Sequence, residues 1–209
     1  MKLTTLVLLS LLTFSSFAQE YPFVKDFANG TLILKDGTKK TGLIKWIVQQ
    51  NFKLRFRENE KADIVKYKFE DLAGFTVGGF QFVSLFNFDA YADDYALVGK
   101  ISTIKRTFGE LLDTGKFNIY RVDITGYNAI SGSIENYTNF LFKNTVNNTM
   151  GLVAYPYAIR MKDKKYETAK ENLYFLFKEY PEVIEKLKNY KKEDDFLDII
   201  DMIKAINRR

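Results

Sequence analysis

Four basic residues, two on each of two consecutive predicted strands, form the pattern in this sequence that is best suited to binding chemistry. Lys53 and Arg55 alternate with apolar residues, and so do Lys66 and Lys68. Side chains of a strand point alternately to the two faces of its sheet, so each pair of cations shares one face. If the two strands pair as a hairpin, Arg55 lies beside Lys66 and Lys53 lies beside Lys68. The sequence therefore predicts a sheet face with four closely spaced positive charges.

We expect an anionic ligand on this face, either an envelope polymer or lipid headgroups. Like charges directly opposite each other weaken a sheet by about a few tenths of a kcal/mol, so the pattern has a cost that a ligand would explain. Two interpretations without a ligand stay open: acidic neighbours screen the face, or the cations only protect a sheet edge. The acidic residues concerned are Glu58, Glu60, Asp63, Glu70 and Asp71.

The apolar residues of the same two strands should point into the core. Pairing in the register above matches Leu54 with Tyr67 and Phe52 with Phe69. A slip of one residue would exchange the two faces, so the apolar pattern specifies the register. The inward set is Leu54, Phe56, Val65 and Tyr67.

Carboxylates offer the alternative chemistry, that of a hydrolase acting on an envelope or extracellular polymer. The chain has no histidine and no cysteine, which excludes an imidazole base, a thiolate nucleophile, a Cys/His zinc site and disulfides. Paired carboxylates still suffice for glycoside hydrolysis, but nothing in the sequence fixes their distances. We therefore assign no catalytic residue, no metal and no cofactor, and favour a non-catalytic protein. The candidate acids are Asp89, Asp93, Asp94, Glu110 and Asp123.

The single tryptophan, Trp46, admits two interpretations. It lies on a predicted strand with Lys45 and would there provide a ring on which a sugar stacks. The simpler interpretation places its ring in the core or on a sheet face.

The N-terminus has the pattern of a secretory signal peptide. Lys2 precedes a mainly apolar run at 3–12, and Ser16 and Ala18 provide the small residues that a signal peptidase reads. The run is shorter than the roughly 20 residues that span a bilayer, so we expect no transmembrane anchor after processing. With no cysteine near the cleavage point, a lipoprotein anchor is excluded. We expect a mature chain that starts at Gln19, soluble in the periplasm or secreted, and not bound to nucleic acid; its net charge of +5 before processing suits anionic partners.

The rest of the chain predicts an α+β fold with antiparallel strands first and helices last. A strand-rich body is expected over 19–160, with a hairpin turn at Asp36 and Gly37. Apolar residues at helical spacing over 101–112 predict one internal helix. Three further helical stripes over 161–209 predict a three-helix tail that packs on the body.

Some motifs resemble those of a largely uncharacterised family of exported proteins from Bacteroidetes-type bacteria. They are FGELL at 108–112, Gly115-Lys116, Ile119-Tyr120 and Tyr180-Pro181-Glu182. The Lys/Asn/Phe/Tyr/Ile-rich composition and the signal ending at Ala18 fit the same source. The resemblance implies a β-rich exported protein with a helical C-terminal tail, and it brings no catalytic residues. Oligomeric state does not follow from it.

Overall fold

The computed structural model describes residues 21–46, 53–92, 100–128, 133–147, 150–156, 162–191, 194 and 197–209. The signal-peptide prediction for 1–18 lies outside these residues. The strands are β1 (Ala28–Leu34), β2 (Lys39–Lys45), β3 (Lys53–Arg57), β4 (Val65–Lys68), β5 (Leu72–Val77), β6 (Phe80–Ala92), β7 (Lys100–Asp113), β8 (Phe117–Asn128), β9 (Ser133–Asn144) and β10 (Val153–Ala154). The helices are α1 (Pro22–Lys25), α2 (Asp163–Leu176), α3 (Pro181–Asn189) and α4 (Leu197–Asn207), and a 3-10 turn (Phe69–Asp71) joins β4 to β5.

All ten described strands form one antiparallel sheet, which confirms a strand-rich α+β fold. Their order is β10-β9-β8-β7-β6-β5-β1-β2-β3-β4. The predicted hairpin turn joins β1 to β2, where Gly37 has a φ of 85° and the Asp36 Oδ1 accepts a hydrogen bond from the Thr38 N–H at 2.9 Å. That bond holds the pKa of Asp36 below its usual value. The turn thus has its own local stabilisation.

Aromatic rings fill the core of the first half of the sheet. Phe23 of α1 lies over the sheet, where its ring stacks on Trp46 at 6.2 Å and meets Phe75 and Phe82 edge-on. Trp46 also contacts Phe108 of β7 edge-on at 5.2 Å. Edge-to-face contacts of this kind add about 0.5–1.5 kcal/mol each to the burial of the rings.

The second half of the sheet curls, because β6 also contacts β9 and β10. Asn139 of β9 bridges the approach: its Oδ1 accepts from the Tyr91 N–H at 2.8 Å, and its Nδ2 donates to the Tyr91 carbonyl at 2.9 Å. The enclosed side is apolar and includes Leu85, Val122 and Leu141.

The three C-terminal helices cover the other side of β8 and β9. Leu173 and Phe177 pack with Phe117 and Phe142 of the sheet, and the apolar stripe of α4 joins the same core. Asn207, the last residue of α4, binds the Phe117 main chain, accepting from its N–H at 2.9 Å and donating to its carbonyl at 2.7 Å. The helices are therefore fixed to the sheet by apolar packing and by main-chain hydrogen bonds.

Lys170 of α2 ties two of these helices together from inside the core. Its side chain is fully buried, and its Nζ donates to the carbonyls of Leu187 and Tyr190, each at 3.1 Å. Those carbonyls lie at the C-terminal end of α3, where a cation is favoured by the helix dipole. Glu167 balances the charge with an Oε1 at 2.9 Å from the Nζ.

The internal helix predicted over 101–112 is wrong, because this segment lies in strand β7. Phe108 packs in the aromatic core of the first half, whereas Leu111 packs with the enclosed core of the second half. A strand covered on both faces carries apolar residues at spacings that can imitate a helical stripe. The helical spacing in this segment therefore comes from burial on two sides.

Among the described helices, none combines the length and the apolar character needed to cross a membrane. The longest is α2 with 14 residues, against roughly 20 for a spanning helix.

Candidate anion-binding face

The four predicted cations come together as the sequence pattern indicates. β3 and β4 pair antiparallel with Lys53 opposite Lys68 and Arg55 opposite Lys66. All four side chains are exposed, while Leu54 and Phe56 between them are buried, with 0% and 2% of their surface accessible. Burial on one face alone therefore fixes the register and forces the basic residues onto the other face.

A third strand extends this array with a residue that the sequence pattern had not supplied. Lys45 of β2 lies opposite Arg55, so Lys45, Arg55 and Lys66 form a row across three strands. Neighbouring strands are about 4.8 Å apart, which sets the scale of the spacing between these positions. We call the outer surface formed by Lys45, Lys53, Arg55, Lys66 and Lys68 the basic face. Only the β2–β3 register shows that Lys45 belongs here. The sequence does not give this register, because residues 47–52 lie between the two strands and leave their alignment open.

Arg57 continues β3 beyond the basic face, but its guanidinium is already engaged. It lies 4.4 Å from the centre of the Phe27 ring, and its Nη1 donates to the Glu60 carbonyl at 2.9 Å. Lys45 is also partly held, since its Nζ donates to the Lys25 carbonyl. Neither contact involves a carboxylate, so both side chains keep their positive charge uncompensated by these bonds.

Two of the acidic residues expected to screen the basic face, Glu70 and Asp71, are engaged in other contacts. Glu70 forms an ion pair with Arg106 of β7, and the Asp71 Oδ2 accepts from the Lys68 main-chain N–H at 3.0 Å. Within the described part of the chain, no ion pair joins Lys53, Arg55 or Lys66 to a carboxylate. The same holds for the Lys68 ammonium. Like charges directly opposite each other on a sheet are destabilising, so an anion bound to this face would relieve an unfavourable interaction.

Two of the apolar partners of the basic residues differ from expectation. The prediction that Val65 points into the core is wrong, because 48% of its surface is exposed. It lies on β4, the end strand of the sheet, where no further described strand covers it. Tyr67 is half-buried, and its hydroxyl accepts from the Lys40 Nζ at 3.1 Å, a bond that raises the pKa of Lys40. Leu54 pairs with Tyr67 as predicted, whereas Phe52 lies outside the described residues.

Trp46 is not available for sugar stacking. Only 3% of its surface is exposed, and its ring is enclosed by Phe23, Phe75, Phe82 and Phe108. The interpretation of this residue as a binding platform is therefore wrong, and the core interpretation is confirmed.

Two of the candidate carboxylates do lie on one face of neighbouring strands. Glu110 of β7 is opposite Arg121 of β8, and Asp123 follows two residues later. The Glu110 Oε2 accepts from the Tyr21 hydroxyl at 2.6 Å, while Asp123 accepts from the Thr138 hydroxyl at 2.6 Å and pairs with Arg121 at 3.4 Å. Burial, followed by the bond to Glu110, raises the pKa of Tyr21, so the phenol stays protonated as a donor.

The remaining candidate acids add nothing to this pair. The Asp89 Oδ1 accepts from the Thr103 hydroxyl at 2.8 Å on the adjacent strand. Asp93 and Asp94 lie outside the described residues. Where side chains are described, no group of three or more acidic residues is arranged to hold a metal ion.

The fold and the basic face thus define a strand-rich α+β protein with a cationic surface on the strands at one end of the described sheet. Comparisons with protein-family models, with curated proteins and with solved structures found no match to the chain.

Proposed function

We propose that this chain is an exported protein of the cell envelope that binds anionic groups through the basic face and catalyses no reaction. The observation that carries the proposal is the row of Lys45, Arg55 and Lys66, which crosses three strands without an ion pair to any described carboxylate. An envelope polymer or a layer of lipid headgroups would supply the same chemistry, a repeated phosphate or carboxylate anion.

Protection of a sheet edge does not account for the extent of the row. Natural sheets guard their edges with charged residues on the edge strand itself. Here β4 is the edge strand of the described sheet, but the cations continue onto β3 and β2, which are the second and third strands from that edge. Charge on interior strands gives no protection against edge pairing, which favours a ligand over the whole face.

The export part of the proposal rests on the N-terminal sequence. Lys2, the apolar run at 3–12 and the small residues before Gln19 have the pattern of a cleaved signal peptide. Export would place the basic face among anionic envelope components. N-terminal sequencing of envelope material should begin at Gln19, and intact Met1 in cytosolic material would contradict export.

A hydrolase remains the second candidate, because Glu110 and Asp123 share one face. Arg121 lies between them, and both carboxylates already accept hydrogen bonds from Tyr21 and Thr138. A catalytic pair needs one carboxyl that is protonated near neutral pH and one that is ionised. Arg121 lies opposite Glu110 and forms an ion pair with Asp123, so the geometry fits a structural cluster better than an acid and its partner.

Co-sedimentation across a salt series tests anion binding. The arms are neutral phosphatidylcholine vesicles, vesicles that also contain phosphatidylglycerol, and soluble polyphosphate as a competitor. We expect binding to the anionic vesicles only, falling steeply with salt, because attraction between exposed charges is screened beyond about 8–10 Å at physiological ionic strength. If polyphosphate binds at equal or lower concentration, the ligand is a polymer and not a bilayer surface.

A matched pair of variants assigns the binding to the face. The test variant replaces Lys53, Arg55, Lys66 and Lys68 with Gln. The control replaces four exposed lysines of the helical tail with Gln and changes the net charge equally: Lys162, Lys164, Lys165 and Lys188. We expect the test variant to lose binding and the control to keep most of it. Equal binding by the two variants would contradict the proposal.

A further inference from the structure

The β4 edge differs from an ordinary protected edge because apolar side chains are exposed beside its cations. Ile64 and Val65 have 49% and 48% of their surface accessible. β4 pairs with β3 on one side, and on its other side the described chain provides no strand. As far as the described residues go, the edge is therefore unpaired and partly apolar.

Val65 is the exposed last member of a row of apolar residues whose other members are buried in the core. Ile44 on β2, Phe56 on β3 and Val65 on β4 lie opposite one another in successive strands. The first two are buried, so the row changes from core to solvent at the last described strand. One more strand with an apolar residue at this position would cover Val65 as β4 covers Phe56.

The backbone of β4 has peptide groups on its open side. The Lys68 N–H donates to the Asp71 Oδ2 at 3.0 Å, so it is directed away from the ladder with β3. Peptide groups of alternate residues in an antiparallel strand point to the same side. The N–H and carbonyl of Lys66 therefore also point to the open side, available to a further strand.

Charge selects the kind of strand that fits. Lys66 and Lys68 lie on the outer face, so outward side chains of an added strand meet two cations and are favoured if acidic. A second copy of this chain, pairing through its own β4, would bring lysines against lysines. The complementary partner is thus a different chain, with acidic residues outward and apolar residues inward.

We propose that the β4 edge binds an extended segment of a partner protein, with alternating acidic and apolar residues, as an added eleventh strand next to the ten described. Main-chain hydrogen bonds to Lys66 fix the segment, its acidic side chains lie over Lys66 and Lys68, and its apolar side chains cover Val65. Strand addition of this type combines backbone affinity with pockets for alternate side chains. It goes beyond the binding of anions by the basic face.

The experiment uses two capped peptides of identical composition. One alternates glutamate and valine, and the other has the same residues in two blocks. Binding is measured by fluorescence anisotropy at one fixed salt concentration. We expect the alternating peptide to bind about tenfold more tightly, since the block peptide carries the same charge but loses paired backbone and apolar contacts.

Two variants separate strand addition from simple charge attraction. Lys66→Pro removes the cation and the outward N–H, a change that an edge strand tolerates when the N–H points to solvent. Lys66→Gln removes only the cation. We expect Lys66→Pro to bind the alternating peptide about tenfold more weakly than Lys66→Gln does, the loss of a paired donor.

Amide hydrogen exchange on the wild-type chain gives a second test that does not depend on the stability of Lys66→Pro. On the wild-type chain, the alternating peptide should slow exchange of the Lys66 amide, and the block peptide should not. Equal affinity for both peptides, or no protection of this amide, overturns strand addition. Anion binding by the basic face is scored separately with polyphosphate, for which Lys66→Pro and Lys66→Gln should be equivalent.

Discussion

Replacing Asn139 tests how the second half of the sheet is held closed. This side chain is 98% buried and forms two hydrogen bonds with the Tyr91 main chain, one as acceptor at 2.8 Å and one as donor at 2.9 Å. Asn139→Leu keeps the branched shape of the side chain but removes both polar atoms. The Tyr91 N–H and carbonyl would then lose these partners at the point where β6 approaches β9.

The expected loss follows from three contributions. Leaving one buried donor and one buried acceptor without these partners costs about 1–3 kcal/mol each. Burying a leucine in place of an amide returns about 1.5–3 kcal/mol. We therefore expect a net loss of about 2 kcal/mol in the free energy of unfolding, and a melting temperature about 4–8 °C lower for a chain of this size.

Urea unfolding followed by circular dichroism measures the effect, with Asn189→Leu as the control. Asn189 is an exposed residue at the end of α3, and its replacement should change stability by less than about 0.5 kcal/mol. Asn139→Asp adds a second test, because it keeps the acceptor but buries a charge against the Tyr91 carbonyl, and should be worse than leucine. Wild-type stability for Asn139→Leu would show that the Asn139 bridge does not hold the sheet closed.

Three further predictions concern other parts of the molecule. The Tyr166 hydroxyl lies 3.0 Å from that of Tyr155, and burial raises the pKa of Tyr166 to about 12, above its unfolded value near 10. The contribution of this tyrosine to the free energy of unfolding should therefore be fully present below pH 10 and be lost between pH 10 and 12. A decline that is no shallower in a Tyr155→Phe/Tyr166→Phe variant would contradict this origin. Gly115→Ala places a Cβ 2.7 Å from the Asn207 Cβ and should lower the melting temperature by several degrees, about 1–3 kcal/mol of overpacking, whereas an unchanged value would show that α4 moves freely. The third variant replaces Lys53, Arg55, Lys66 and Lys68 together with Gln. Because this relieves opposed like charges, the free energy of unfolding in urea should stay unchanged or rise by about a few tenths of a kcal/mol, and a large loss would mean that these residues support the fold.

The register of β3 and β4 was predictable because strict alternation permits only one arrangement with Leu54 and Phe56 inside. The same logic failed for Val65, since alternation gives the face of a residue but not its distance from the edge of the sheet. It also failed for β7, where Phe108 and Leu111 are covered from opposite sides and their spacing resembles that of a helix.

The contacts that close the structure were beyond prediction for a different reason. Asn139 and Asn207 bind main-chain groups 48 and 90 residues away, and nothing local distinguishes them from other asparagines of the chain. Lys45 belongs to the basic face because β2 pairs with β3, and the sequence does not fix the register of that pairing. Each of these depends on where strands meet, which a pattern within one strand does not contain.

Lysine footprinting by mass spectrometry tests the proposed anion-binding face most directly. The chain is acetylated with and without an anionic ligand, using phosphatidylglycerol-containing vesicles in one arm and polyphosphate in the other. We predict that Lys53, Lys66 and Lys68 become protected, while Lys164 and Lys165 of α2, which are also exposed, react as before. Protection concentrated on α2, or spread evenly over all exposed lysines, would contradict the account.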